Sequence, residues 1–428
     1  MKKSDRAIAV AVLSEIMEGG AYANIALRKA LAQSETTPQA RAFITEMVNE
    51  TLRNIILIDH IIGSFSNTPT SELKPIIRNI LRISVCQIRF LERIPERAAV
   101  DEAVKLTKQH NFERLSGFVN AILRSIVREP EKPQIHPKDL ALRFSYPAWM
   151  INSLIKWLGS KGAIEFCENS HKPASITVLP NTCKTDVETL TAALKAEDVD
   201  VFEKSVQTRS TPMLTLRHTG DITRLIPFKE GHFIVTDPGA MAAVDALAAK
   251  PGQKIIDMCA APGGKSFATA FQMQNEGRIL AFDIHPHRIE LIRQTQKRLG
   301  LTIIEPSVQD ATVFNPDLVN TADAVLVDAP CSGLGTIRKH PEIKFTRQPE
   351  DIQILAKKQA RMLENAAKYV KPGGKLVYCT CTVAAEENMD IINSLTEAVP
   401  NYEIESTEQT LPSAEADGFF TAVMLRRV

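Results

Sequence analysis

From Phe233 onward, short apolar runs rich in strand-forming residues alternate with longer stretches at helical spacing. The apolar runs cover residues 254–258, 278–283, 322–328 and 375–379. Helical patterns, such as residues 288–299 and 351–370, lie between them. A helix-length connection carries the chain back before the next strand begins, so the strands imply a parallel sheet with helices on both faces. Residues 233–428 are therefore expected to form an α/β, Rossmann-like domain. Ligands in such sheets bind beyond the carboxyl ends of the strands. The residues just after each apolar run are the first place to look for chemistry.

The front of the chain has a different period. Ile8, Val12 and Ile16 keep one helical face apolar. Ile76, Ile77, Ile80, Leu81, Ile83, Val85 and Ile88 form a second stripe, and Phe118, Val119, Ile122, Leu123 and Ile126 a third. Breakers stand at Gly19-Gly20, Thr37-Pro38, Thr68-Pro69 and Ile94-Pro95. Residues 1–130 read as an all-helical domain. The proline- and charge-rich stretch 129–133 suits a linker. Residues 131–232 read as that linker and a small α+β subdomain, with strands near 175–179 and 213–217 and a helix near 186–196.

A chain of 428 residues with 44% hydrophobic content supports two or three cored domains. Net charge is only +1, but its distribution is uneven. Residues 1–128 hold 18 Lys+Arg against 13 Asp+Glu, and the remainder 33 against 37. That surplus permits an RNA-contacting front end without requiring one. The seven cysteines are odd in number and contain no CxxC pair, which argues against a zinc ribbon or a disulfide framework. Reduced thiols in a cytoplasmic protein fit best. Lys2, Lys3 and Arg6 precede an apolar run in the manner of a short signal peptide. Glu15 and Glu18, with Ile16 and Met17 in helical phase, make an amphipathic helix the better reading. No apolar run reaches the length of a membrane span, and no membrane partner is expected.

The first strand closes on Asp257-Met258-Cys259-Ala260-Ala261-Pro262-Gly263-Gly264-Lys265-Ser266. Lys265-Ser266 matches the tail of a Walker A loop, but Cys259 stands where its first glycine belongs. Cys259 and Ala261 likewise replace the first two glycines of a dinucleotide fingerprint. What remains is a strand-to-helix turn of small residues that lets backbone approach a nucleoside-type cofactor. The candidate cofactor residues are Cys259, Ala260, Ala261, Pro262, Gly263, Gly264 and Lys265. Nineteen residues past Gly264, Asp283 ends the second strand, where a carboxylate accepts both ribose hydroxyls or caps the following helix. Asp310 lies near the third strand end, where an acid meets an adenine amino group. Lys265 reads as a charge near base or cofactor, or as a solvated turn lysine. His285 and His287 beside a proline read as exposed rather than metal-binding, and no metal is expected.

Two further strand ends carry cysteines: Cys331 in Asp328-Ala329-Pro330-Cys331, and Cys381 in Thr380-Cys381-Thr382. Neighbouring strand ends can bring them to one cleft although they are fifty positions apart. Cys379 lies within an apolar run, where a cysteine is usually buried and inert, and Cys86, Cys167 and Cys183 suit the same description. From the residues alone, Cys379 and Cys381 are interchangeable as a nucleophile. A metal-bound Cys379/Cys381 pair lacks partners at ligand spacing.

The runs DMCAAPGGKS (257–266), DAPCSGLG (328–335) and KLVYCTCTVAAEEN (375–388) resemble the RNA cytosine-C5 methyltransferase family. IPERAAVDEAV (94–104) and GFVNAILRSIV (117–127) are similar to a NusB-like RNA-binding domain. Together, and with this length, they resemble the family's bacterial 16S rRNA branch across nearly the whole chain. Two departures stand out: Thr-Cys-Thr replaces the commoner Thr-Cys-Ser, and Gln309-Asp310-Ala311 replaces a Gly-Asp-Gly/Ala-type turn.

The resemblance implies a class I S-adenosylmethionine-dependent enzyme that makes 5-methylcytosine in 16S rRNA, unassembled or partly assembled. It implies Cys381 as the nucleophile at carbon 6, Asp328 at N3 and beside the cofactor, and Cys331 assisting release. A tRNA-directed relative and a noncatalytic RNA-binding or assembly factor are the competing readings. The paired cysteines speak against the second, since binding needs neither. The target base has to leave its stack, which single-stranded RNA eases. Arg338, Lys339, His340, Lys344 and Arg347 suit phosphates near the cleft or an ordinary charged surface. Arg78, Arg82 and Arg89 recur at helical spacing, as an RNA-backbone stripe or a solvated face.

Overall fold

The structure, a computed structural model, describes residues 4–203 and 212–428. The chain divides into two compact units: Met1–His171 with Lys339–Arg347, and Lys172–Arg338 with Gln348–Val428.

The first unit is helical. Helix Asp5–Met17 starts at Ser4, whose hydroxyl accepts the Ala7 N–H at 3.2 Å, and buries Ile8, Val12, Leu13 and Ile16. The basic-then-apolar start is thus a core helix; Lys2 and Lys3 lie outside the described residues. Helix Pro38–Arg53 is capped by Thr37 and has proline in its first turn, where no N–H is needed. Helix Pro75–Phe90 buries Ile77, Ile80, Leu81, Ile83 and Val85 in the shared core, and Glu96–Gln109 and Ser116–Arg128 add Leu106, Val119 and Leu123.

The unit continues past residue 130, where composition pointed to a linker. The Arg89 guanidinium takes up the carbonyls of Pro130, Glu129 (3.1 Å) and Lys132 (2.9 Å). The Ser145 hydroxyl accepts the N–H groups of Ile56 and Leu57 at 2.9 and 3.3 Å. These bonds attach helices Leu140–Arg143 and Ala148–Ser170 to the helical unit. Composition marks a turn-rich stretch but not what satisfies its carbonyls.

The second unit holds two sheets. The smaller comprises β1 (Ile176–Pro180), β2 (Asp200–Glu203), β3 (Leu214–Arg217) and β4 (Phe233–Val235), all antiparallel in the order β2-β3-β1-β4. Helix Val187–Lys195 closes it over Val178, Leu190, Leu194, Leu214 and Phe233. Phe233 therefore belongs to this sheet, although the change in sequence character begins there.

The larger sheet comprises β5 (Lys254–Asp257), β6 (Arg278–Asp283), β7 (Ile304–Val308), β8 (Ala322–Asp328), β9 (Val370–Thr380), β10 (Tyr402–Gln409) and β11 (Phe420–Arg426). Their order is β10-β11-β9-β8-β5-β6-β7. The pairs among β5 to β9 are parallel, and β11 runs antiparallel to β9. The expected helices form as Pro286–Leu299 and Pro349–Tyr369.

Both faces are buried, as a parallel sheet requires. Ile255, Ile279, Leu326, Val377 and Cys379 join one core, and Ile256, Leu280, Val325, Leu376 and Tyr378 the other. That split follows the two-residue alternation of side chains along a strand. Among the described residues, no helix is long and apolar enough to cross a membrane.

Candidate active site

β5 gives way to helix Gly264–Gln272 through the small-residue turn. Gly263 has φ 108°, and a Cβ there would lie 2.4 Å from the Phe267 ring, so the position demands glycine. The Ala260 N–H donates to the Phe282 carbonyl at 2.7 Å, locking the turn to β6. Beneath it, the buried Asp257 carboxyl accepts the Ser266 hydroxyl at 2.6 Å and the Cys259 N–H at 3.4 Å. Burial pushes its pKa up to about 7, against the Ser266 bond. The Cys259 thiol is also pushed well up, by burial and then by Asp257.

Asp283 is buried at the end of β6. Its Oδ1 accepts the His285 N–H at 2.8 Å and its Oδ2 stands 3.9 Å from Arg288. One oxygen thus ties down the turn before helix Pro286–Leu299, and the other faces a cation. His285 and His287 are exposed. Asp310 follows β7, and its Oδ1 accepts the Thr312 N–H and hydroxyl at 2.8 and 2.7 Å. Because β5, β6 and β7 are consecutive in the sheet, the turn at 259–265, Asp283 and Asp310 stand at three successive strand ends. Small residues flanked by carboxylates suit a nucleoside whose hydroxyls and amino group need acceptors.

On the other side of β5, β8 pairs with β9 in a register that sets Asp328 beside Cys379. The Ala329 N–H donates to the Cys379 carbonyl at 3.0 Å, and the Gly335 N–H to the Cys381 carbonyl at 2.9 Å. A Cβ on Gly335 would come within 2.0 Å of the Gly418 carbonyl oxygen, so this close approach needs glycine. The result brings the Cys331 and Cys381 sulfurs to 3.3 Å, both half-buried and both free thiols. The bond to Cys381 and then burial hold the Cys331 thiol well above the usual range.

Lys265 reaches across from the small-residue turn. Its Nζ lies 2.6 Å from Asp328 Oδ2 and 5.4 Å from the centre of the Phe419 ring. Burial pulls its pKa down, but Asp328 and nearby groups outweigh this and hold it above the ordinary lysine value. It is not a solvated turn lysine. Cys379 is fully buried, its thiol pointing to Asp328 Oδ1 at 3.4 Å, and burial pushes its pKa well up. Cys381, not Cys379, shares space with Cys331.

Sequence reasoning missed a buried polar group linking the two cysteine loops. Glu387 accepts the Ser332 N–H at 2.9 Å, the Ser332 hydroxyl, and Gln359 Nε2 at 2.9 Å. The Ser332 and Thr382 hydroxyls meet at 2.8 Å. Thr382 therefore keeps a hydroxyl in place although the motif departs from the commoner serine. The available signal was the Glu387-Asn388 pair ending the third motif.

Two of the five residues read as phosphate-holding, Arg338 and Lys344, are committed to the fold instead. Arg338 is buried against Asp237 (3.1 Å) and Asp417, and donates to the Ser413 carbonyl at 2.8 Å. Lys344 is buried in the helical unit, bonded to the Arg53 and Ser145 carbonyls. Arg82 pairs with Asp59 at 2.7 Å, Arg78 with Glu18 at 3.0 Å, and Arg89 binds carbonyls. A charge count cannot separate cations committed to the fold from cations offered to a ligand.

Comparison with known proteins bears on this geometry. The family model described as 16S rRNA methyltransferase RsmB/F matches residues 244–425, and that of the NusB family matches residues 3–128. A probable ribosomal RNA small subunit methyltransferase B from Bacillus subtilis (strain 168) is 36% identical over 417 residues, covering 96% of this chain and 92% of that protein. The chain belongs to the RsmB/F family of 16S rRNA methyltransferases. Among solved structures, PH0851 superposes with TM-score 0.82 at 26% identity over 99% of both chains. A methyltransferase homologue from Pyrococcus horikoshii gives 0.59 at 29% identity over 68% of this chain and 100% of its own.

As an RsmB/F member the chain is an S-adenosylmethionine-dependent methyltransferase with a NusB-like helical region before a Rossmann-like domain. The turn at 259–265 and the carboxylates of Asp283 and Asp310 fit that nucleoside cofactor.

Proposed function

We propose that this enzyme methylates carbon 5 of a cytosine in 16S rRNA through a transient bond between Cys381 and carbon 6, in the cytoplasm, on unassembled or partly assembled rRNA. The observation that carries the reading is the 3.3 Å approach of the Cys331 and Cys381 sulfurs beside the Lys265–Asp328 pair.

Carbon 5 of cytosine is a poor nucleophile. Addition of a thiolate at carbon 6 makes it enamine-like, and cysteine suits the task because its thiolate both attacks and leaves. A free thiol titrates at about 8.5, so the site has to favour the ionised form. The buried Lys265, held above the ordinary lysine value chiefly by Asp328, is a cation of this site. Asp328 shares a proton with N3, offsetting the charge that addition puts on the ring. When bound, S-adenosylmethionine supplies an electrophilic methyl on a sulfonium. The turn from Cys259 to Lys265, Asp283, Asp310 and the edge of Asp328 hold it. Cys331 assists release. The NusB-like front end contributes RNA binding.

Labelled-methyl transfer to separated 16S, 23S and tRNA pools, followed by nucleoside analysis, tests the reading. The expected result is 5-methylcytidine in 16S rRNA only, absent with Cys381→Ala. Unchanged product with Cys381→Ala sinks the covalent route, and label confined to tRNA sinks the substrate assignment.

A further inference from the structure

Between the two cysteine loops lies a polar cluster that touches no reacting atom. Glu387, Ser332, Thr382, Gln359 and Thr380 are completely buried, and Asn388 nearly so. Burying a carboxylate is costly unless its hydrogen bonds are complete, and an apolar filling often stabilises a fold as well. The position of the cluster is therefore informative. Ser332 follows Cys331, and Thr382 follows Cys381.

Glu387 takes both donors of Ser332, its N–H at 2.9 Å and its hydroxyl. That hydroxyl meets Thr382 at 2.8 Å. Gln359 braces the same carboxylate at 2.9 Å and the Pro330 carbonyl at 3.0 Å. The Tyr378 hydroxyl, from the strand leading to Cys381, donates to the Glu387 backbone carbonyl at 2.7 Å. Thr380 and Asn388 bond at 2.6 Å, and Asn388 Nδ2 donates to the Thr382 carbonyl at 3.1 Å. One residue thus sets the backbone beside one sulfur and, through two hydroxyls, the backbone beside the other.

We propose that Glu387 is the positioning residue for the release step: through Ser332 and Thr382 it holds the Cys331 sulfur against that of Cys381. The inference rests on the covalent reading above. In release the C5–H bond breaks and its proton goes to the Cys331 sulfur, whose own thiol proton passes to the Cys381 sulfur 3.3 Å away. The C–H electron pair becomes the ring double bond, and Cys381 departs with the C6–S pair as a thiol. A sulfur displaced from Cys381 leaves addition possible and release slow.

The test separates the two steps in the full-length protein with S-adenosylmethionine. RNA carrying 5-fluorocytidine traps the methylated adduct, because fluorine does not leave as a proton, and so reports the steps before release. Ordinary 16S transcript reports adduct that fails to clear. Glu387→Ala is expected to trap fluorinated RNA within about threefold of wild type. On ordinary RNA it accumulates about tenfold or more adduct.

Glu387→Gln keeps the shape and an oxygen for the Ser332 N–H, and its amide can donate to the Ser332 hydroxyl; it restores clearance in part. In a Cys331→Ala background, Glu387→Ala adds nothing further, as coupled residues behave. Should Glu387→Ala not fold, Ser332→Ala, which removes only the hydroxyl link, is expected to slow clearance in the same sense. Wild-type clearance in these variants, or an equal fall in trapping and clearance, overturns the inference. If wild type itself traps no fluorinated RNA, the covalent reading fails and this inference with it.

Discussion

Lys265 and Lys344 are both withdrawn from solvent, the first in the opening turn of helix Gly264–Gln272 in the Rossmann-like unit, the second inside the helical unit. Lys265 lies 2.6 Å from a carboxylate, and its pKa is held above the ordinary lysine value in spite of burial. Lys344 donates to two backbone carbonyls, at 2.5 and 2.9 Å, and burial pulls its pKa down to about 7. Burial alone does not decide what a buried cation becomes. A full opposite charge keeps Lys265 an ammonium, as a site that stabilises developing charge needs. Carbonyl dipoles satisfy the donors of Lys344 without repaying its desolvation.

Substitution separates the two roles. Lys265→Met is expected to slow methyl transfer by about 10²- to 10³-fold, the scale of losing one preorganised electrostatic partner. Lys344→Met should leave transfer per folded molecule within about threefold of wild type. Labelled-methyl incorporation into 16S rRNA measures both, and equal losses would erase the distinction.

Stability reverses the order of importance. Lys344→Met leaves the Arg53 and Ser145 carbonyls without their donor, which costs about 1 to 3 kcal/mol. Urea unfolding followed by circular dichroism reads this as a lower midpoint. An unmoved midpoint would mean that water or relaxation replaces the lysine.

Proton linkage gives a finer test. Folded Lys344 titrates at about 7, and an unfolded lysine at about 10.4. Between these values the unfolded chain holds a proton that the folded chain lacks, so stability rises with pH in that window. The slope approaches about 1.4 kcal/mol per pH unit, and vanishes below the folded pKa. Wild type should therefore gain on Lys344→Met as pH increases from about 7 to about 9. Lys265 has the opposite sign: its raised pKa contributes stability that is complete below the unfolded pKa and lost only as pH rises through the folded one. It adds no slope in the same window. Parallel unfolding curves for wild type and Lys344→Met across that range would contradict the burial argument.

The smallest effect is expected at Arg78, whose pairing with Glu18 is partly exposed. Arg78→Gln should change stability by less than about 1 kcal/mol. It should also leave the salt dependence of RNA binding unchanged, because its charge is already paired. A shallower salt slope would instead show that Arg78 reaches phosphate.

Much of this molecule was readable from residue patterns. The strands around Ile255, Leu280, Val325 and Val377 declare themselves because both faces of a parallel sheet are buried, leaving short unbroken apolar runs. The helical front end declares itself through stripes such as Ile77, Ile80 and Leu81. Asp283, Cys331 and Cys381 were visible as candidates because chemistry collects where strands end, and Asp328 came with the family resemblance. The pairing of Asp328 with Lys265 was not, since 63 residues separate them. The same holds for Ser332, Gln359 and Glu387, which look like ordinary polar residues until their burial is seen.

Local order depends on neighbours in sequence, and the periods of two and 3.6 residues record it in the letters themselves. Family motifs added the chemistry at the strand ends. Which cysteine faces its partner, which lysine stays charged and which arginines are already committed depend on atoms brought together across long stretches of chain. Electrostatic and hydrogen-bond energies fall steeply with distance and rise with burial, and neither quantity exists until the chain has folded.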